Sequence, residues 1–394
     1  MDERTRSYLA GRFGDYYRRS GLEGPPAASQ REWGHIPFTP GDGTTMVRHQ
    51  SWLDVAGGGS LVDFLVRQQP RHVYYSAGRY RDPGADRMSE KGWRAADLVF
   101  DLDADHLPGV DADGDSYADM LRTCKDALRR LLDFVEGDFG FEEVDIVFSG
   151  GRGYHVHVRD EGVLELGRDQ RDEIVEYVRG PDVTFDDVVR TETVDGIGLK
   201  NPTQKRSLPT DGGWGARVHR HLMALIDEVR DLPEDEALAR LREFPNVGEG
   251  KAAAIRRAGT ENYDQLAAGN LDVHPAVVSL AKQLFERALE TDGAPIDEPV
   301  TTDINRLIRL PGSLHGGTGL VVTPIDRDAL DAFDPLDDAV PEVFLDHEIR
   351  VDVTDPGPVE FRGDTFTLKE GECRLQEALG VFLMARGRAR KVAE

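Results

Sequence analysis

The sequence predicts a mixed α/β fold, α+β in layout, with a sheet-bearing core interrupted by a helical insertion. Three observations carry this. Short apolar runs of strand length alternate with one long amphipathic helix between residues 30 and 160. From about 165 to 290 nearly every segment has helical period and propensity, and strand-like runs return after 290. With 394 residues and 39% hydrophobic content, the chain can bury two or three domain cores.

Residues 1–20 read as a helix with apolar and aromatic positions at Tyr8, Leu9, Phe13, Tyr16 and Tyr17, and the Gly/Pro-rich 21–30 segment breaks it. Strands are expected at Thr45–Arg48, Val73–Ser76, Leu98–Asp103, Asp145–Ser149 and Tyr154–Val158. Between them, 118–138 is an amphipathic helix whose Leu121, Ala127, Leu128, Leu131, Leu132 and Val135 share a face. Strand character is expected again near Ile296–Thr301 and Gly319–Pro324, and the tail "LQEALGVFLMARGRARKV" reads as an amphipathic helix with a basic end. The division that follows is a core in two parts (1–164 and 291–345), a helical subdomain (165–290) and a C-terminal segment (346–394).

The chain carries 73 acidic and 48 basic residues, a formal net charge of −25. Eight of the basic residues are lysine, which leaves 40 arginines. Acid-rich, lysine-poor surfaces suit molar salt, where charge repulsion is screened within about 3 Å. Such acidity ordinarily argues against nucleic-acid binding, but in high salt only close contacts count and local arginine clusters become informative. Two cysteines, Cys124 and Cys373, build no disulfide framework and suit a reduced cytoplasm. The N-terminus shows no signal-peptide core, and no apolar run is long enough to span a membrane.

The chemistry concentrates in three segments. In "DLVFDLDADHL" (97–107), Asp101 and Asp103 are two apart on a strand and therefore share a face. Carboxylates that close repel unless a cation or proton lies between them. Oxygen-only ligands suit Mg²⁺ or Mn²⁺. Two readings fit an Asp-x-Asp after an apolar run. One is a metal-dependent phosphatase of the Asp-x-Asp-x-Thr type, although the fifth position here is Asp105. The other is nucleotidyl transfer with two metals bracketing a phosphate. The second segment, "DIVFSGGRGYHVHV" (145–158), favours transfer: Gly150, Gly151 and Gly153 let backbone amides approach an anion, with Ser149 and Arg152 beside them and His155 and His157 on the outgoing strand. The third, "PIDEPVTTDINRLIRLPGSLHGGTGL" (295–320), offers Asp297, Glu298 and Asp303, then Arg306, Arg309 and His315.

Together and in this order, "VFDLDADHL", "SGGRGYHVHV" and "RLIRLPGSLHGGTGL" resemble the catalytic small subunit of archaeal DNA primase, of the archaeo-eukaryotic primase superfamily, and "REWGH…VRHQSW" (31–52) resembles its N-terminal region. The resemblance covers roughly 30–160 and 290–325. It implies a mixed or antiparallel catalytic sheet of that superfamily's type. It implies two metal-binding aspartates at Asp101 and Asp103, and a third on a strand eighteen residues before the histidine of the "SLH" turn, which is Asp297 rather than Asp303. Ser149, Arg152 and His155 match nucleotide-contacting positions, Arg309 and His315 match basic groups on the incoming triphosphate, and Arg48 resembles a further phosphate contact. The implied activity is primer synthesis from NTPs or dNTPs on single-stranded DNA, in partnership with a large subunit carrying an iron–sulfur domain. An end-joining or translesion polymerase of the same superfamily is the alternative.

There are departures. Gly151 and Gly317 stand where many relatives carry a basic residue. One cysteine and one histidine in 105–148 cannot supply the family's zinc knuckle, so no structural zinc is expected. In the helical region, "REFPNVGEGKAAAIRRAG" (242–259) has the hydrophobic-x-Gly-x-Gly-Lys pattern of a helix-hairpin-helix turn, which presents amides and Lys251, with Arg256 nearby, to a DNA phosphate. An ordinary glycine-capped helix start is the other reading of that segment.

Overall fold

Alternation along LVFDLD makes Leu98–Asp103 a strand with Phe100 and Leu102 wholly buried and Asp101 and Asp103 on the opposite, half-exposed face. The computed structural model describes residues 1–39, 45–57, 59–111, 114–194 and 203–393. It divides into two compact units, one of 1–128, 142–175 and 295–394, the other of 129–141 and 176–294.

The first unit holds two four-stranded antiparallel sheets. One has the order Thr323–Ile325, Val144–Phe148, Gly153–Val158, Leu98–Asp103. The other has the order Leu307–Arg309, His72–Ser76, Trp33–Ile36, Val47–Gln50. The tight glycine turn at 149–152 joins two strands whose register pairs Asp101 with His155 and Asp103 with Gly153 across to the carboxylate strand. Helix Glu3–Arg19, capped by the Asp2 side chain on the Thr5 amide, buries Leu9, Phe13 and Tyr17. Helix Tyr117–Leu132 follows the carboxylate strand, and its buried Cys124 thiol lies 3.6 Å from the Leu102 carbonyl.

One buried ion cluster fixes the root of these sheets. Asp97, wholly buried, accepts from Arg31 at 2.7 and 2.9 Å, from Arg79 at 2.8 Å and from Arg159 at 3.0 Å. Arg31 also donates to the carbonyls of Ser76 and Ala77, and Arg171 to those of Ala96 and Asp97. Burial opposes ionisation of Asp97, but the guanidiniums of Arg31, Arg159 and Arg79 outweigh it and hold the carboxyl below its ordinary value.

Two expectations are corrected. The segment at Ile296–Thr301 is not a strand: Glu298–Thr302 is a short helix with Asp297 at its N-cap and proline in its first turn. Pro299 has no N–H to give a sheet ladder and suits a helix start. The tail helix is not amphipathic either. All residues of Glu377–Ala385 are buried, because EALGVFLMA is apolar on almost every side. Its basic end leaves the helix at Gly387 (φ +78°) and pairs as strand Ala389–Lys391 in a three-stranded sheet with Glu348–Val353 and Gly371–Gln376. A hairpin, Gly357–Phe361 with Asp364–Leu368, turns on Arg362 and Gly363, both at positive φ, the geometry of a two-residue type I′ turn.

The second unit is mostly helical. Helices Gly213–Asp231, Glu234–Leu241, Glu249–Glu261 and Pro275–Asp292 pack through Val218, Leu222, Ile226, Leu241, Ile255, Leu280 and Leu284. Arg217 pairs with Asp138 at 2.7 Å and lies 3.6 Å from the Phe134 ring centroid. A hairpin of Arg190–Val194 and Thr203–Ser207 also belongs to this unit.

Replacing Asp97 strands the wholly buried guanidinium of Arg31 and the partly buried ones of Arg79 and Arg159. Asp97→Ala is expected to cost about 3–5 kcal/mol. Asp145→Ala, which removes only the half-exposed partner of Arg159, is expected to cost about 0.5 kcal/mol or less. Equilibrium urea unfolding of both variants in molar KCl checks the contrast.

Candidate active site

The carboxylate strand forms one wall of a cavity of about 590 Å³. Val300 and Ile308 line it with Asp101 and Asp103, and both pack on Val99, which shares the aspartates' face of the strand, and on Ala77. The third carboxylate arrives from far along the chain, where the Asp297 amide donates to the Asp101 carbonyl at 2.9 Å. Asp297 therefore lies against the carboxylate strand as an extended residue before a helix, not on a strand of its own. Asp303 lines the same cavity but accepts the Asn305 amide at 2.9 Å.

The acids perturb one another. Burial first, then the charge of Asp103, raise the Asp101 carboxyl to about 6, against weaker opposition from Arg309, Arg306 and His106. Burial and Asp101 raise Asp297 as well. This is an electrostatic deficit of positive charge, in a donor set made of oxygen. Among the described residues no three His, Cys, Asp or Glu side chains close tightly enough to hold an ion by themselves. The set thus fits a hydrated divalent cation that takes water and phosphate oxygens as further ligands, the habit of Mg²⁺.

The facing sheet carries the cations. Arg309 ends strand Leu307–Arg309, beside Tyr74 of the neighbouring strand, and its buried Nε has no hydrogen-bond partner among the described residues. Arg306 and Arg48 line the cavity too, Arg48 Nε donating to the buried Glu32 carboxylate at 3.1 Å. A buried guanidinium N–H without an acceptor is costly, and a phosphate oxygen would satisfy it.

The glycine turn closes one end. Ser149 Oγ accepts the amides of Gly151 and Gly153, each at 3.3 Å, which leaves its proton to donate. Gly150 has φ +73°, and a Cβ there would lie 2.6 Å from that of His315; one at Gly153 would lie 1.8 Å from the Leu102 carbonyl oxygen. His315 is clamped by this packing: its Nδ1 lies 3.2 Å from Thr318 Oγ1, which itself donates to the Gly150 carbonyl. Burial, then Arg309, His72 and Arg71, push its imidazole well below the ordinary value, so it is neutral. His155, 3.5 Å from Asp101, is likewise held neutral, pushed down to about 3 by burial and Arg309.

The cavity thus gathers Asp101, Asp103, Asp297, Ser149, His155, Arg309 and Arg48. Arg152 does not line it; its guanidinium pairs with Asp105. His315 supports the glycine turn beside it and, being neutral, offers a hydrogen bond rather than charge. Lys251 and Arg256 belong to the helical unit, where Lys251 Nζ donates to the Asn246 carbonyl at 3.0 Å and the buried Arg256 Nε has no partner among the described residues. Sequence reading did not single out Tyr74 or His106 as cavity residues, and named Arg306 only among the basic groups of the third segment. His106 had a local signal, three residues beyond Asp103 on the 3₁₀ turn Ala104–His106; Tyr74 had none, because only the pairing of distant strands brings it there.

A family model described as DNA primase small subunit matches residues 100–327. A DNA primase small subunit PriS of Haloarcula marismortui is 61% identical over 100% of both chains. One of Methanothrix thermoacetophila is 40% identical, covering 98% of this chain and 99% of the relative. Among solved structures, the polymerase domain from Mycobacterium tuberculosis Ligase D in complex with DNA aligns with 84% of this chain and 82% of that one, at 15% identity and a TM-score of 0.29.

The raised Asp101 carboxyl has a measurable signature. Between its ordinary 3.8 and about 6 the folded chain holds a proton that the unfolded chain releases. Stability from this group is therefore present at low pH and lost as pH rises through about 6, a difference on the order of 3 kcal/mol. In EDTA, wild type minus Asp101→Asn is expected to show that loss in urea unfolding between pH 4 and 8. A flat difference curve contradicts the electrostatic account.

Proposed function

The chain belongs to the DNA primase small subunit family, and from that premise we propose that the cavity between the two sheets is where it joins nucleotides. The observation that carries this is charge placement: Asp101, Asp103 and Asp297, two of them raised above the ordinary carboxylate value, face Arg309, whose buried Nε has no hydrogen-bond partner among the described residues. The chain is a DNA primase catalytic subunit, and the reaction is template-directed transfer of a nucleotide from an NTP to a 3′-hydroxyl, or to a first NTP at initiation, on single-stranded DNA.

Asp101, Asp103 and Asp297 would hold divalent cations, Mg²⁺ or Mn²⁺. When bound, such ions lower the pKa of the attacking hydroxyl and stabilise the leaving pyrophosphate. The chain's own residues do the rest. Arg309, Arg306 and Arg48 draw the triphosphate into the cavity and supply positive charge where the leaving group develops negative charge. Ser149 Oγ–H, its oxygen held by the Gly151 and Gly153 amides, orients a phosphate oxygen. His155 donates or accepts a hydrogen bond beside Asp101 without adding charge. Arg152, paired with Asp105, reaches the triphosphate by exchanging that partner.

The partners follow the same reading: a single-stranded DNA template, NTPs, and a large subunit that carries the iron–sulfur domain, since the two free cysteines here cannot ligate a cluster. A cytoplasmic location suits these partners. No helix among the described residues is long and apolar enough to cross a membrane. Within the helical unit, the turn before Glu249–Glu261, with Val247 buried beneath it, supports a sequence-neutral DNA contact through Lys251 and Arg256.

Four outcomes test this. Wild type with its large subunit, given labelled NTP and single-stranded DNA without primer in molar KCl, is expected to make new short chains. Asp101→Asn/Asp103→Asn should lower incorporation by at least about a thousandfold, the scale of losing a phosphoryl-transfer site. Mn²⁺ should raise the melting temperature of wild type and leave that of the double variant unchanged, a readout independent of activity. Lys251→Ala/Arg256→Ala should weaken DNA binding about tenfold and flatten its salt dependence; an unchanged salt slope rejects the contact.

A further inference from the structure

A second cavity, of about 460 Å³, lies in the same unit, and four arginines line it: Arg6, Arg71, Arg386 and Arg390. None of the four makes an ion pair among the described residues. The single acidic residue lining it among the described residues is Asp2, and its carboxylate is taken by the Thr5 amide at 3.0 Å and the Thr5 hydroxyl at 2.6 Å. In a chain of net charge −25, four guanidiniums against one carboxylate leave this hollow net positive and call for an anionic occupant.

The cluster is built, not scattered. Lys391 N donates to Thr5 Oγ1 at 2.9 Å, which sets the strand carrying Arg390 against the helix carrying Arg6. Arg386 stacks on Tyr117, its guanidinium carbon 4.1 Å from the ring centroid. Arg71 Nε donates to the Gly316 carbonyl at 3.4 Å. Two of these contacts lead directly to the candidate active site: the Tyr117 hydroxyl donates to the Gly151 carbonyl of the glycine turn, and Gly316 follows His315. Half-buried Phe38 also lines the hollow, its ring braced edge-on by Phe13 at 5.2 Å. Guanidiniums spaced along a groove with an aromatic face among them suit a single nucleic-acid strand, phosphates on the arginines and a base on the ring.

We propose that this cavity holds the phosphodiester backbone of the single-stranded template beside the glycine turn, a second contact surface outside the cavity where nucleotides are joined. The inference rests on the primase reading above. One bound phosphate would occupy one or two guanidiniums; four, drawn from the first helix, a strand start and the C-terminal segment, match a run of phosphates. In molar salt, long-range attraction is screened, so such close contacts are what remains to hold a strand.

The test compares wild type, Arg6→Gln/Arg390→Gln and Arg390→Glu, each in complex with the large subunit. Binding of a fluorescent oligo(dT) is followed by anisotropy across a KCl series. Arg390 is exposed, so the charge reversal there repeats the test without disturbing the first helix. Both variants should bind oligo(dT) about tenfold more weakly, and the double variant should lose about 1.4 from the slope of log K against log salt, at ~0.7 per single-strand contact. The KM for template should rise while kcat and the KM for NTP stay unchanged. Unchanged oligo(dT) affinity and slope overturn the proposal. So does a raised KM for NTP with oligo(dT) binding intact, which marks a free-triphosphate site, or loss of the large subunit with oligo(dT) binding intact, which marks a protein interface. Failure of the primase reading itself looks different: wild type then incorporates no NTP, whatever the variants do to oligo(dT) binding.

Discussion

Asp97 carries more of this structure than any residue in the cavity it supports. Its carboxylate meets Arg31, Arg79 and Arg159 in the dry interior. Those arginines come from the approach to strand Trp33–Ile36, from just beyond His72–Ser76 and from the end of Gly153–Val158. The next residue starts the carboxylate strand. One buried charge thus ties together chain segments belonging to both sheets, and a buried ion of this kind tolerates few alternative arrangements, because any misregister leaves a guanidinium unpaired in low dielectric. The opposition of acids and arginines across the cavity is downstream of that node.

The same logic governs how so acidic a chain presents positive charge. Its arginines do not form one broad basic face. Some are partnered by buried acids, as at Asp97 and Glu32; others project into hollows with no ion-pair partner among the described residues. Arg309 is the clearest case, held between Tyr74 and the cavity with an unused donor. Local structure rather than net charge decides what a phosphate meets, which is how a chain of charge −25 remains compatible with nucleic-acid chemistry.

Much of the site was legible because its signals are local. Strand alternation put Asp101 and Asp103 on one face, and glycines at 150, 151 and 153 marked a turn that a Cβ would block. What escaped was set by distance or by environment. Tyr74 reaches the cavity only because strand His72–Ser76 pairs with Leu307–Arg309. The neutrality of His315 comes from burial and neighbouring cations, neither of which the motif encodes. In the fold, the mixed α/β layout followed from periodicity, while antiparallel pairing was implied by the family resemblance. The 298–302 helix did not, because its apolar residues imitate a strand until Pro299 is weighed. The C-terminal sheet was hidden by short strands, although the Arg362–Gly363 turn flanked by alternating residues was a usable signal.

The bond from the Asp297 amide to the Asp101 carbonyl also bears on the order in which the protein becomes competent. Arg48 and two acids of the site emerge early in synthesis; the third acid, with Arg306 and Arg309, follows nearly two hundred residues after Asp101, after the whole helical unit has been made. Until then the early acids lack their companion and two of their counter-charges. Contacts of such long sequence separation form late and slowly. Assembly of the cavity therefore waits on synthesis of the chain through Arg309, and a copy cut before Asp297 lacks the third carboxylate, Arg306 and Arg309.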